Sequence, residues 1–184
     1  MQKNIAVHLA EGFEEIEAIS IIDVLRRAEF DITVVSVTGK KEVTSKQGVT
    51  IVADQLFENT DYENTDMIVL PGGMPGAKNL KGHEGLREKI LDFHQKGKPL
   101  GAICAAPMVL GDLGILNNKN ATCFPGFEDE LKGANVTGNE VEVDGKIITG
   151  KGAGVAVKFA LQIVEFLKNK EIADKLAEKM IATR

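Results

Sequence analysis

The sequence places one cysteine where a short apolar run passes into a helix-like segment. Cys104 follows the run KPLGAI at residues 98–103, which is apolar after its first residue, and is followed three positions later by Pro107. The first N–H groups of a helix are unpaired and carry partial positive charge, which favours a thiolate over a thiol. We therefore predict that Cys104 is a nucleophile that a strand delivers to the start of a helix.

Three glutamates after the first apolar run could supply an acid or base to that cysteine. Glu14 and Glu17 are three residues apart and would share a helix face. A carboxyl group in contact with sulfur is expected to hold its proton, because adjacent anions repel and burial raises the pKa of an acid. For Glu14 and Glu15 we favour a solvated helix start, where the dipole stabilises acidic side chains. Glu17 lies one turn further and should point nearer the sheet, so it is the candidate proton carrier.

Two glycines after another apolar run could bind an oxyanion. Gly72 and Gly73 follow residues 66–70, and glycine permits both close backbone approach and positive φ. Their N–H groups could stabilise a negative charge that develops beside Cys104. A tight turn into the next helix would use the same two glycines. Because this loop is expected to lie beside Cys104, we favour the oxyanion site over the simple turn.

Apolar runs of strand length alternate with amphipathic stretches of helix length, which predicts an α/β fold with a mostly parallel sheet. Strands are predicted over residues 5–9, 32–37, 66–70 and 98–103, and helices over 14–27, 85–96, 155–168 and 171–181, with a β-ribbon formed by 136–137, 141–143 and 147–149 around a turn at 144–145. In the first helix, Ile16, Ile19, Ile22 and Leu25 are expected near one face. Because ligands bind at the carboxyl ends of parallel strands, the cysteine, glutamate and glycine loops should converge on one edge.

Composition narrows the possible functions. The 184 residues contain no linker-like segment, so we predict a single domain over residues 1–184. Two cysteines and the lack of a leader-like start favour a reducing, cytoplasmic location, and no apolar run is long enough to cross a membrane. A net charge of −5 and 5% aromatic residues argue against nucleic acid as a partner. A small molecule or a protein remains as substrate.

The sequence predicts no metal or cofactor. His8, His83 and His94 lack the spacing of zinc ligands, and there is no CxxC motif. His8 is expected to pack inside a strand, whereas His83 and His94 are expected in solvent at the ends of a surface helix. The glycine-rich residues 150–154 lack a downstream ribose-binding acid, and no P-loop is present.

Four blocks of sequence resemble the ThiJ/PfpI superfamily, in the branch of the Parkinsonism-associated protein deglycase and its bacterial homologues. Residues 11–17, 23–28, 70–80 and 102–107 read EGFEEIE, DVLRRA, LPGGMPGAKNL and AICAAP. The resemblance implies a flavodoxin-like three-layer sandwich of the class I glutamine amidotransferase-like type, with the cysteine on a strained nucleophile elbow. It also implies a homodimer that needs no cofactor.

The resemblance also implies roles for single residues. Cys104 matches the reactive, readily oxidised cysteine, and Glu17 matches a protonated glutamate that hydrogen-bonds to it. Arg27 matches an arginine that approaches the site across the homodimer interface. The positions of the family's oxyanion pocket correspond to Gly73, Met74 and Ala105.

The chain departs from its relatives at two positions. Ala105 stands where protease-like branches have a histidine directly after the cysteine, so a Cys-His protease is not expected. Phe124 aligns with a histidine that the deglycase branch often carries, which leaves Glu17 as the evident acid and base. Cys123 could resolve an oxidised Cys104, although a packed, inert thiol is the favoured interpretation.

Members of the superfamily are described as glyoxalases that convert methylglyoxal to lactate, as protein deglycases, and as stress sensors or chaperones. The resemblance therefore implies a cysteine-dependent, cofactor-independent stress protein that acts on small reactive aldehydes or glycated groups. The alternative is a redox sensor or chaperone with little turnover, in which Cys104 is oxidised. A weaker alternative is a thiamine-pathway role with an unknown substrate.

Overall fold

Strands and helices alternate along residues 2–183, which are the residues that this computed structural model describes. The strands are β1 Asn4–Leu9, β2 Asp31–Ser36, β3 Glu42–Thr44, β4 Thr50–Val52, β5 Gln55–Leu56, β6 Met67–Leu70, β7 Leu100–Ile103, β8 Asn120–Ala121, β9 Asn135–Val136, β10 Val141–Asp144 and β11 Ile147–Gly150. The α-helices are α1 Glu15–Arg27, α2 Gly76–Gly82, α3 Glu84–Gln95, α4 Pro107–Asp112, α5 Ala156–Leu167 and α6 Lys170–Met180. No helix in this range is long and apolar enough to cross a bilayer.

Seven strands form a central sheet in the order β10-β11-β7-β6-β1-β2-β5. All neighbours pair in parallel except β10, which runs antiparallel to β11 at one edge. Val7 of β1 pairs with Val34 of β2 on one side and with Val69 of β6 on the other. The chain therefore reverses its direction of winding between β1 and β6. Such a switch point opens a crevice at the carboxyl ends of the two strands.

Helices cover both faces of this sheet because successive side chains of a strand point to opposite faces. In β6, Met67 and Val69 pack into the apolar cluster that contains residues of α1, α5 and α6. Ile68 and Leu70 pack into the second cluster, with α2, α3 and α4. The predicted three-layer α/β sandwich is therefore confirmed.

Helix α1 buries a different set of residues from the predicted one. Ile22 and Leu25 are buried, but Ile16 and Ile19 are 57% and 47% exposed. The stripe that faces the sheet includes Glu17 instead. A carboxylic acid thus occupies a position that helical periodicity alone would give to an apolar residue, and two isoleucines face outward.

The predicted β-ribbon is correct only in part. β10 and β11 pair antiparallel as expected. Residues 136–137 do not join them, because β9 pairs in parallel with β8 in a separate two-stranded sheet. The β3–β4 hairpin was not predicted at all. These segments are only two or three residues long, and runs that short carry too little periodicity to be recognised.

The three histidines have separate environments. His8 is fully buried, as predicted, with its Nε2 2.8 Å from the Tyr62 hydroxyl, and burial lowers the pKa of His8 to about 3. His94 is exposed, as predicted. The expectation of a solvated His83 is wrong, because its Nδ1 accepts the N–H of Leu86 at 3.0 Å and so caps α3. No cluster of three or more potential ligands in the described part of the chain could hold a metal ion.

Candidate active site at the carboxyl edge of the sheet

The loops after β1, β6 and β7 meet at the switch point. The N–H of Glu14, after β1, donates to the carbonyl of Gly72, after β6, at 2.9 Å. The N–H of Cys104, after β7, donates to the carbonyl of Gly150 at the end of β11, at 2.8 Å. Backbone hydrogen bonds therefore join four neighbouring strand ends, and the expected convergence of the loops is observed.

Cys104 lies on a left-handed elbow between β7 and α4. Its φ is +64°, a conformation that costs a residue with a Cβ roughly 1–3 kcal/mol. The surrounding chain holds it there, since its carbonyl also accepts the N–H of Phe124 at 2.9 Å. The prediction that Cys104 begins a helix is wrong in detail. α4 starts only at Pro107 and is six residues long, so the elbow, and not a helix terminus, presents the thiol.

Gly72 packs directly between the cysteine and the acid. Its N–H donates to Oε2 of Glu17 at 2.8 Å. A Cβ at this position would lie 2.6 Å from the Cys104 Cβ and 2.9 Å from that same Glu17 oxygen. Only glycine fits such a gap. The expectation that Gly72 donates to an oxyanion is wrong, because its N–H is already engaged with Glu17.

Gly73 and Ala105 supply the remaining backbone donors. Their N–H groups hydrogen-bond to the Cys104 sulfur and lower the pKa of the thiol. Gly73 has φ +88°, and a Cβ there would lie 2.4 Å from the Glu14 nitrogen, so no other residue fits without moving the β1 loop. The structure thus brings the N–H groups of Gly73 and Ala105 to the same sulfur atom.

The Glu17 carboxyl group has the environment of a proton carrier. The side chain is fully buried, and burial raises the pKa of Glu17 to about 7, although hydrogen bonds from Gly72 and Cys104 oppose the shift. Oε2 accepts from Gly72, while Oε1 is buried and has no hydrogen-bond partner among residues 2–183 that meets normal geometry. When Glu17 is neutral, its proton therefore belongs on Oε1.

The thiol is not activated by itself. Burial and the Glu17 charge raise the pKa of the Cys104 thiol to about 12, outweighing the two backbone donors. This value applies to a cysteine that faces an ionised Glu17, so the predicted thiolate beside a protonated Glu17 stays a prediction. A thiolate becomes favourable only when Glu17 takes up the proton, because the two groups titrate as a pair.

A cavity of about 190 Å³ opens beside this pair. Cys104 and the acid Glu17 both line it. Two charged residues of opposite sign, Glu14 and Lys46, also line the cavity. Its apolar lining residues include Met74, Phe124, Phe127 and Ala153. Sequence reasoning missed Lys46, Phe127 and Ala153, because each comes from a loop that only the tertiary fold carries to this edge.

Three other candidate residues do not line this cavity. Glu15 is half-buried with Oε2 unpartnered among the described residues, so the prediction of a solvated side chain is wrong. Arg27 pairs with Asp23 at 2.6 Å at the far end of α1 and does not line the cavity of its own chain. Cys123 is 4% exposed and does not line the cavity either, and burial raises its pKa to about 11.

The fold and this site can be compared with those of known proteins. The model of the DJ-1/PfpI family matches residues 3–166. The chain belongs to the DJ-1/PfpI family. It is similar to the Drosophila melanogaster protein dj-1beta, with 36% identity over 98% of each chain. The structure of oxidised Toxoplasma gondii DJ-1 superposes with a TM-score of 0.95 and 37% identity, covering 99% of this chain and 100% of that one.

Other DJ-1/PfpI relatives differ in length and in name. The chain spans about 41% of the length of DJ-1 homolog B from Arabidopsis thaliana, to which it is 37% identical. A protein named as a deglycase from Pyrococcus abyssi is 29% identical over 161 residues, which cover 86% of this chain and 96% of that protein. The family relationship is thus shown for nearly the whole chain.

Proposed function

We propose that this DJ-1/PfpI protein is a cysteine-dependent stress enzyme that converts 2-oxoaldehydes to 2-hydroxy acids, methylglyoxal to lactate being the simplest case. The observation that carries the proposal is the buried Glu17 carboxyl, with its pKa raised to about 7, in contact with Cys104 beside two backbone donors. A general acid–base is most effective when its pKa lies near the working pH. The named deglycase among the relatives also supports aldehyde-related chemistry.

The first step is addition of the thiol to the aldehyde. The Cys104 sulfur bonds to the aldehyde carbon C1 while its proton passes to Oε1 of Glu17. The C1 oxygen gains the electron pair of the carbonyl bond and receives hydrogen bonds from the N–H groups of Gly73 and Ala105, which stabilise the developing charge. Glu17 then protonates this oxygen and becomes a carboxylate beside a hemithioacetal.

The second step moves hydrogen from C1 to C2. The Glu17 carboxylate removes the C1 proton, the resulting enediol is reprotonated at C2, and the proton of the C1 hydroxyl passes to the C2 oxygen. C1 is thereby oxidised to a thioester and C2 is reduced to an alcohol, so no external oxidant or cofactor is required. Water then hydrolyses the thioester, which releases the 2-hydroxy acid and restores the Cys104 thiol. A recently glycated group would enter the same sequence after its hemithioacetal or hemiaminal bond breaks, which releases the free thiol or amine and the 2-oxoaldehyde.

The deciding experiment is a measurement of lactate formed from methylglyoxal. We expect the wild type to turn over and Cys104→Ala to lose that activity. Cys123→Ala is the matched control, since this thiol lies outside the cavity, and it should keep the wild-type rate. Equal rates for the wild type and Cys104→Ala, or no lactate from either, would contradict the proposal.

A second candidate function is redox sensing with little turnover, coupled to binding or chaperoning of other proteins. The observation that favours it is the difference between the two thiols, since Cys104 opens into the cavity and Cys123 is 4% exposed. A sulfinate on Cys104 could accept the N–H groups of Gly73 and Ala105 and the proton of neutral Glu17. The solved Toxoplasma gondii relative is an oxidised form.

We also propose that the protein forms a homodimer through α1 and the β3–β4 hairpin. Ile16, Ile19, Val49 and Val52 are 57%, 47%, 43% and 65% exposed. Asp23 and Arg26 line a groove in the same region, so a two-fold axis could pair charges of opposite sign across a self-complementary interface. Arg27 would then approach the site of the partner subunit. The two-cysteine composition supports a cytoplasmic location.

A further inference from the structure

Phe124 is an apolar side chain held in place beside Cys104 although it is 46% exposed. Its N–H donates to the Cys104 carbonyl at 2.9 Å, and its own carbonyl accepts the N–H of Phe127 at 3.1 Å. Its ring lies against Gly152, where a Cβ would come within 3.2 Å of the Phe124 Cδ2. The ring therefore packs against the backbone at Gly152, and Phe124 lines the cavity while nearly half of its surface stays exposed.

Phe124 and Phe127 together form what we call the phenyl wall. It lines the same cavity as Glu17, Cys104 and Gly73. The proposed chemistry holds C1 at the Cys104 sulfur and its oxygen at the Gly73 and Ala105 N–H groups, so the substituent on C2 extends into the rest of the cavity, which the wall lines. The cavity, about 190 Å³, is roughly six times the ~30 Å³ that a water molecule occupies in the liquid. A methyl group leaves much of this space and most of the wall in contact with water.

We infer that the phenyl wall selects 2-oxoaldehydes that carry an apolar, ring-sized substituent, with phenylglyoxal favoured over methylglyoxal and mandelate as its product. The inference rests on the aldehyde chemistry proposed above and names its substrate class. Removing a ring and the wall from water is favourable, and the ring faces of substrate and wall can stack or meet edge to face. Lys46 and Glu14 line the same cavity with opposite charges and give no preference for an ionic substituent.

The test compares kcat/KM for the two aldehydes in four proteins. The wild type should favour phenylglyoxal by about tenfold or more, the size expected for apolar groups in a pocket. Phe124→Ala should reduce that ratio about tenfold, and Phe124→Leu should keep most of it. Phe166→Ala, which removes a partly buried ring on α5 outside the cavity, should leave the ratio unchanged. A wild-type ratio near one, or an equal loss for both aldehydes in Phe124→Ala, would overturn the inference.

A probe without turnover separates this inference from the proposed function. The rates of Cys104 alkylation by bromoacetophenone and by bromoacetone report access to the same cavity. Each rate is divided by the rate at which the same reagent alkylates a free thiol in solution. A phenyl preference in alkylation that is lost in Phe124→Ala supports the phenyl wall. If neither aldehyde then yields a hydroxy acid, the proposed enzyme activity is refuted while the phenyl wall stands. Turnover of methylglyoxal without a phenyl preference in either assay refutes the wall alone. A change in oligomeric state of Phe124→Ala without a change in the ratio would assign the ring to subunit contact and also refute it.

Discussion

The N–H of Gly72 donates to Oε2 of Glu17 over 2.8 Å and leaves Oε1 of the same buried carboxyl without a hydrogen-bond partner among the residues described. A buried acceptor without a partner costs on the order of 1–3 kcal/mol. That cost falls when Oε1 carries a proton, which a pKa near 7 permits at neutral pH. Glu17 and Cys104 thus behave as one unit that exchanges a single proton.

Replacing Glu17 with Gln should shift the pH at which Cys104 becomes reactive. In the wild type both groups hold protons below about pH 7. Above it Glu17 is ionised and can accept the thiol proton, so alkylation by iodoacetamide should rise through an inflection near 7. An amide cannot accept that proton, and burial still raises the thiol pKa. The inflection of Glu17→Gln should therefore lie above the ordinary thiol value of 9.0.

Mass spectrometry of Cys104 alkylation between about pH 5 and 10 measures this shift. Glu14→Gln is the matched control. The Glu14 charge contributes to the raised pKa of Glu17, so its removal should move the inflection slightly downward. The same inflection in the wild type and in Glu17→Gln would show that the acid is not part of the titrating pair.

Gly72→Ala should damage both stability and turnover. The added Cβ would press on the Cys104 Cβ and on the carboxyl of Glu17, and overpacking of this kind costs about 1–3 kcal/mol. Gly82→Ala, at the end of α2 with no atom within 4 Å of the new Cβ, should be neutral or stabilising by up to about 1 kcal/mol. Urea unfolding and lactate formation measure the two effects, and similar behaviour of both variants would refute the packing argument.

Ile19→Asp should dissociate the proposed dimer. Because the interface is two-fold symmetric, each subunit would bury one carboxylate in its apolar centre. Neither carboxylate would have a partner of opposite charge, so burying them is costly. Analytical ultracentrifugation should show a monomer. The control is Ile181→Asp, a change at a 97% exposed isoleucine after α6 and outside the proposed interface, which should leave the dimer intact. A wild-type monomer, or a dimer that survives Ile19→Asp, would contradict the proposal.

Mild peroxide should oxidise one of the two cysteines. Cys104 lines the cavity beside backbone donors that stabilise an oxidised, anionic sulfur, whereas Cys123 is 4% exposed and does not line the cavity. Peptide mass spectrometry should find two added oxygen atoms at Cys104 and none at Cys123. Oxidation spread evenly over the two thiols, or a disulfide between them, would argue against the redox-sensor candidate.

Local sequence patterns were enough for the main features of the fold. The long elements were correct in type, and most of their ends were correct within two residues, because each runs through several periods of apolar residues. The strand ends also located the site, since the segments that follow β1, β6 and β7 carry Glu17, Gly73 and Cys104. The short β3, β4, β8 and β9 strands were misassigned or missed for lack of such repetition.

The sequence by itself determined the α/β class and singled out Cys104, Glu17 and the glycines at 72 and 73, because residue type and spacing carry that information locally. Only the tertiary structure decided how these groups act. In the folded chain the Gly72 N–H donates to Glu17, and burial raises the pKa of the Cys104 thiol. Ile16 and Ile19 lie outside the core, and Phe124 and Phe127 line the cavity. Each of these depends on burial or on contacts between segments far apart in sequence, and neither has a local signature.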